Sequence, residues 1–357
     1  MNRAARATID SAALKANLRT LRGAADARVM AVIKADGYGH GIVPVARALE
    51  EADAFAVARL EEAAAIRDAG LDNRIILLEG LFHAEQLGLA GRLGLELVVH
   101  APGQIEMLEA VSGSARFPVW LKLDTGMNRL GFDPAAAGEL VSRLTDCPAA
   151  EGPVYLMTHL ANADEPADAT TAGQLETFAA AVNGLPGERT IANTAGMLAW
   201  PESRADWVRP GIGLYGVSPF AEGSGTDLDL RPVMTLASEL IAIKTVAAGA
   251  RVGYGGAWTA PVPTRIGVAA IGYGDGYPRA LGNGTPVRVG DAEGRLVGRI
   301  SMDMITIDLQ DAPGARVGDE VLLWGDGLPV ETLARLAGTI PYELLCGVTT
   351  RVAMREV

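Results

Sequence analysis

The chain has 357 residues, enough for two domains or one large barrel with an addition, and 49% of them are hydrophobic, which promises a substantial core. A net charge of −12 argues against nucleic acid or an anionic membrane surface as partner. Cys147 and Cys346 are too few for a disulfide framework or a thiolate metal site. With no signal-like apolar stretch near the N-terminus and none long enough for a bilayer, the expectation is a cytoplasmic protein.

In chain order, Asp10 or Ser11 is placed to cap a first helix whose Leu14, Leu18 and Leu21 share a face. Val29–Ile33 is an uninterrupted apolar run, the pattern of a strand buried on both faces. Lys34 follows at once, and the glycine-rich Ala35–Gly41 reads as a tight turn. Further strands are expected at 54–58, 75–78, 95–99, 118–123, 154–158, 190–192 and 207–212, with helices at 59–69, 102–112, 134–145 and 170–183. That succession predicts a (β/α)8 TIM-type barrel over residues 1–232. Beyond Arg231-Pro232 the texture becomes alternating segments at 235–246, 264–270, 285–289, 296–300, 305–309 and 320–323, with one helix at 329–338. Residues 233–357 therefore read as a mostly-β domain.

The chemistry of a barrel lies at the C-terminal ends of its strands. A lysine where a buried strand stops is costly unless a partner or a reaction holds it. Snorkelling into solvent is the ordinary explanation, but three glycines and Tyr38 follow directly, which suits close approach of backbone to a ligand. A desolvated lysine has a lowered pKa, as a Schiff-base nucleophile requires. After the later strands come His159, the segment Ala192–Gly196 and the segment Arg209–Gly213, whose hydroxyl, glycines and amides suit a phosphate. Lysine, histidine, arginine and a phosphate cradle at one rim read as a pyridoxal 5'-phosphate site. Gly211–Gly216 also spells the dinucleotide pattern, but no βαβ unit surrounds it. His40, His83 and His100 are expected to cap or line surface loops, and no metal-ligand spacing is present.

Lys34-Ala-Asp-Gly-Tyr-Gly-His-Gly41 resembles the cofactor-lysine signature of alanine racemases, fold-type III pyridoxal phosphate enzymes with a barrel and a C-terminal β domain. The similarity continues through Lys122–Gly131, His159, Asn193-Thr194, Arg209–Ile212, Val252–Gly255, Gly272–Gly276, Gly298–Asp303 and Pro341–Glu343, and so covers essentially the whole chain.

The resemblance implies interconversion of L- and D-alanine, supplying D-alanine for peptidoglycan. Lys34 would bond to the cofactor and serve as base toward the D-enantiomer, with Tyr254 the base on the opposite face, because racemisation needs a proton carrier on each side of the reacting carbon. Tyrosine hydroxyls titrate near 10 in water, so this role needs cationic neighbours, which the family supplies through His159 and Arg209. Arg209 would face the pyridine nitrogen as a permanent donor, a weaker electron sink than a carboxylate partner gives, which favours racemisation over decarboxylation. Arg129 and the Met302 amide would bind the substrate carboxylate. Lys122 would be carbamylated and orient Arg129, or else stay a plain lysine near Asp124. Tyr38, Thr194, Gly211, Ile212 and Tyr342 would hold the phosphate, with Asn193 beside them. Tyr254, Tyr273 and Met302 would reach the active site of a second subunit in a head-to-tail homodimer, with Asp303 in support. Thr194 stands where many relatives have serine, and Asp36-Gly37 where Asn-Ala is commoner; neither removes a needed group. The alternatives are a racemase of broader specificity, toward serine or basic amino acids, and a non-catalytic pyridoxal phosphate carrier.

Overall fold

The computed structural model describes residues 4–111 and 114–357. It divides into two units, one of residues 15–214 and 219–222, the other of the described residues up to Leu14 with Tyr215–Ser218 and Gly223–Val357.

Strand β1 (Arg6–Ile9) and a helix, Ser11–Ala25, open the chain. Asp10 caps that helix, its Oδ1 accepting the Ala13 N–H at 2.9 Å, and Leu14, Leu18 and Leu21 are buried. The barrel follows: β2 (Arg28–Val32), β3 (Ala54–Val57), β4 (Ile75–Leu77), β5 (Leu95–Val99), β6 (Phe117–Lys122), β7 (Ala150–Met157), β8 (Arg189–Asn193) and β9 (Trp207–Arg209). All eight are parallel, and pairing of Arg28 with Trp207 and Val29 with Val208 closes the circle. Most strand residues are apolar because both faces are covered, one by the barrel interior and one by helices. Every residue of β3 and β5 is buried, each large side chain contributing about 1.5–3 kcal/mol.

Toward the N-terminal ends of the strands, aromatics and paired charges fill the barrel. Trp120 stacks on Tyr155 at 4.4 Å between ring centres and donates its indole N–H to Glu96 at 2.8 Å. Trp207 donates to Glu188 at 2.8 Å, and Arg74, paired with Glu96, lies 4.8 Å from the Trp207 ring. This packed floor leaves the opposite rim as the place where polar loops converge.

In the other unit, β10 (Met234–Val246), β13 (Thr264–Ala269), β14 (Pro286–Val289), β15 (Ala292–Leu296), β16 (Ile305–Asp308), β17 (Glu320–Trp324) and β18 (Ala353–Glu356) form an eight-stranded sheet with β1. A separate hairpin pairs β11 (Arg251–Val252) with β12 (Trp258–Thr259). Here the structure differs from the boundary expected at residue 232. Strand β1 pairs antiparallel with β10 and parallel with β18, so the first strand belongs to the β unit. A four-residue strand of alternating burial carries too weak a pattern to be read locally. The strand expected at 296–300 lies instead at 292–296, and Gly298, at φ 75°, stands just beyond it.

Candidate active site

Lys34 leaves the end of β2 and enters a turn of unusual hand. Ala35, Asp36, Gly37 and Tyr38 all lie in the left-handed region, at φ 54°, 53°, 61° and 52°. Each non-glycine residue held there costs about 1–3 kcal/mol, so surrounding contacts must fix it. The Gly37 N–H returns to the Ile33 carbonyl at 3.0 Å and the Gly41 N–H to the Asp36 carbonyl at 2.9 Å. Asp36 Oδ1 accepts the Ile42 N–H at 2.7 Å. His40 does not line a surface loop as expected: it is 1% exposed, with Nδ1 at 3.0 and 2.8 Å from the carbonyls of Gly37 and Tyr38, and burial lowers its pKa to about 4. Both partners are acceptors, so Nδ1 carries the proton.

Four cations gather at this rim. Burial, assisted by Arg129, holds the Lys34 amine below its ordinary pKa, while Glu79 and Glu62 push back. Lys122, the last residue of β6, is buried and brought down to about 8, first by burial and then by Arg209, Arg129 and Lys34. Asp124 does not pair with it; its Oδ1 accepts the Gly126 and Asn128 N–H groups, each at 3.0 Å, and so shapes the loop that carries Arg129. Among the described residues, no carboxylate forms an ion pair with Lys34, Lys122, Arg129 or Arg209. A rim this rich in unneutralised positive charge fits anionic ligands: a phosphate, a carboxylate or a carbamate.

Arg209 ends β9 and is 4% exposed. It donates to Thr190 Oγ1 at 2.6 Å, to the Thr158 and Ile191 carbonyls at 2.7 and 3.0 Å, and to His159 Nδ1 at 3.1 Å. Burial brings its pKa to about 10, so it remains protonated at neutral pH. Burial and the same cations hold His159 well below its ordinary pKa.

Beside them, Tyr38 and Thr194 meet the chain at Gly211. A Cβ on Gly211 would lie 2.4 Å from the Tyr38 hydroxyl, so any larger residue would displace that ring. Thr194 Oγ1 accepts the Gly211 and Gly213 N–H groups at 2.9 and 3.4 Å, which leaves the hydroxyl proton to donate outward. Asn193 spends its carbonyl oxygen on the Gly196 N–H at 2.8 Å, capping the helix Thr194–Ala199. Hydroxyls, a close-approach glycine and cations together fit a phosphorylated aldehyde bonded to Lys34. Gly211–Gly216 encloses a 3-10 turn, Ile212–Tyr215.

The remaining expected residues lie on the β unit. Tyr254 is 71% exposed on a turn flanked by Gly253, Gly255 and Gly256, all at positive φ. Tyr273 and Met302, 40% and 51% exposed, sit on loops zipped by Tyr273 N–H to the Ser301 carbonyl at 3.1 Å and Gly274 N–H to the Met302 carbonyl at 2.9 Å. Arg351 ties these loops by bonds to Asp275 at 3.0 Å and Asp303 at 2.6 Å. Tyr342 is the second residue of the helix Pro341–Cys346.

Family models of the alanine racemase N-terminal and C-terminal domains match residues 9–219 and 233–356. The chain belongs to the alanine racemase family. It is 51% identical over 356 residues to an alanine racemase of Shewanella amazonensis, with 98% of each sequence covered. Its structure is similar to that of the biosynthetic alanine racemase from Pseudomonas aeruginosa, with a TM-score of 0.96, 46% identity and 100% of both chains covered. It is also similar to alanine racemase from Bartonella henselae with covalently bound pyridoxal phosphate, with a TM-score of 0.90, 30% identity and the same coverage.

Within this family frame, the site has supports that sequence reading missed. Gln174, buried in the helix Thr170–Ala181, accepts the Ala161 N–H at 2.8 Å and donates to the His159 carbonyl at 3.0 Å and Thr125 Oγ1 at 3.3 Å. It thereby joins the loop bearing His159 to the loop leading to Arg129. Its place between Thr171 and Phe178, at the spacing of one helix face, was the available signal.

Proposed function

We propose that this chain is a pyridoxal phosphate-dependent alanine racemase, an isomerase that interconverts L- and D-alanine and supplies D-alanine for peptidoglycan. The observation that carries the reading is the rim of cations, Lys34, Lys122, Arg129 and Arg209, with no carboxylate paired to any of them among the described residues. In the barrel unit, Lys34 Nζ would bond to the cofactor, while Tyr38, Thr194, Gly211 and Ile212 would hold its phosphate. The assignment of Tyr342 to the same phosphate, and of Asn193 to the cofactor, rests on the resemblance.

When bound, the cofactor withdraws electrons from the substrate Cα and makes its proton removable. Lys34, whose amine burial holds below its ordinary pKa, would take up or release that proton at Nζ. Tyr254 Oη of the partner subunit would carry the proton on the opposite face. Arg129 orients the substrate by its carboxylate, assisted by the Met302 backbone amide, and a carbamate on Lys122 would hold the guanidinium in place. Arg209 keeps a proton on its own NH2 and fixes His159 by donating to Nδ1.

The β unit would serve a second copy of the chain. Tyr254, Tyr273, Met302 and Met304 leave large apolar surface exposed on it, which suits burial in a head-to-tail homodimer, with Asp303 holding the Met302 loop through Arg351. Among the described residues no helix is long and apolar enough to cross a membrane, and the site we propose handles a small metabolite in the cytoplasm. The test is exchange of the α-proton with solvent deuterium across a panel of L- and D-amino acids. Exchange confined to alanine supports the assignment, exchange across serine or basic amino acids points to a broader racemase, and no exchange with any amino acid overturns it.

A further inference from the structure

The left-handed turn that carries Lys34 stores strain, and such a conformation persists only where its surroundings over-determine it. Glu62, in the first turn of the helix Leu60–Asp68, is one source of that restraint. Its Oε1 accepts the Ala35 N–H at 2.6 Å and the Asp36 N–H at 3.4 Å. Its Oε2 accepts the Ala58 N–H at 2.8 Å and the Arg59 N–H at 3.1 Å. One carboxylate therefore binds four backbone donors, two on the strained turn and two on the loop leaving β3. Acceptors alone suit that position; a carboxamide would aim its NH2 at one of the two donor pairs. At the far end of the turn, His40 holds the carbonyls of Gly37 and Tyr38, so Glu62 acts where the chain leaves Lys34.

We infer that Glu62 is a positioning residue for Lys34: by gripping Ala35 and Asp36 it fixes the direction in which the Lys34 amine and the Tyr38 hydroxyl leave the barrel rim. The inference rests on the reading of Lys34 as the amine that bonds to pyridoxal phosphate. Glu62 also acts on that amine through its charge, opposing the effect of burial.

The experiment compares wild type with Glu62→Gln, Glu62→Asp and the neighbouring control Glu61→Gln. Each protein is freed of cofactor, mixed with pyridoxal phosphate or with pyridoxal, and trapped with borohydride over a range of pH, with thermal unfolding recorded in parallel. We expect Glu62→Gln to slow capture of both aldehydes by about tenfold or more, since small misplacements of a reacting group are costly, and to move the pH profile. Glu62→Asp, which keeps both oxygens, should recover part of the rate, and Glu61→Gln should behave as wild type. Pyridoxal lacks the phosphate, so equal loss with it assigns the effect to the lysine. Unchanged capture rate and pH profile in Glu62→Gln, even with a lowered unfolding temperature, would overturn the inference. Failure of wild type to capture either aldehyde would instead overturn the reading of Lys34 beneath it.

Discussion

Arg209 donates from its buried guanidinium to His159 Nδ1 at 3.1 Å, and because a guanidinium accepts nothing, the imidazole carries its proton on Nε2. Burial and four surrounding cations keep that ring neutral. The pair therefore presents one fixed positive charge and one fixed tautomer, a stable background for proton transfer by other groups.

The neutral buried histidines set a pH limit on the fold. His159 and His40 both have folded pKa values below the unfolded one, His40 at about 4. Below the unfolded value of about 6.5 the unfolded chain binds protons that the folded chain refuses. Stability should therefore be full above that pH and fall as it drops toward 4. Denaturant titrations between pH 7 and 4 measure this, and His40→Gln should flatten the slope.

Lys122 offers a reactive amine. With a pKa of about 8 it is partly neutral at physiological pH, as attack on carbon dioxide requires. We expect a carbamate carbon signal on Lys122 in isotope-labelled bicarbonate, lost in Lys122→Ala, with a raised KM for alanine in that variant. Absence of the signal would leave Arg129 oriented by other means.

Gln174→Leu removes three hydrogen bonds and leaves the Ala161 N–H and the His159 carbonyl unmet. The expected loss of stability is about 1–3 kcal/mol. Because Gln174 braces the Arg129 loop through Thr125, the KM for alanine should rise more than cofactor affinity falls, which steady-state kinetics and cofactor absorbance read separately.

At the other end of the barrel, Trp207→Ala should cost about 3–5 kcal/mol. It empties a fully buried site and strips a partner from Arg28 and Arg74. The folded fraction should keep the catalytic constants of the wild type, since Trp207 lies at the start of β9 and the chemistry at the rim.

The barrel was legible because its strands are buried on both faces, so Val29–Ile33 and Ala54–Val57 read as apolar runs without help from the rest of the chain. At the rim, Lys34, Arg209 and Gly211 stood out because their residue types are unusual where they stand, at or just beyond strand ends. The hand of the turn after Lys34 was not legible, because nothing in Ala35 or Tyr38 favours positive φ; contacts formed only in the fold, those of Glu62 and His40 among them, hold it. Strand β1 escaped for the same reason, being four residues long and defined by partners more than two hundred residues away. Thr194 and Gly213 illustrate the middle case: the hydroxyl was expected to face a phosphate, but its acceptance of two backbone donors depends on the close packing at Gly211.

We propose that Lys34 and the partner subunit's Tyr254 carry protons on opposite faces of one substrate carbon. The most direct measurement is deuterium incorporation at Cα of L-alanine by Tyr254→Phe, set beside its rate of covalent capture of pyridoxal phosphate. We expect exchange from L-alanine to fall by orders of magnitude while capture proceeds at the wild-type rate. Equal loss of both would contradict the two-base assignment and make Tyr254 a structural residue of the β unit.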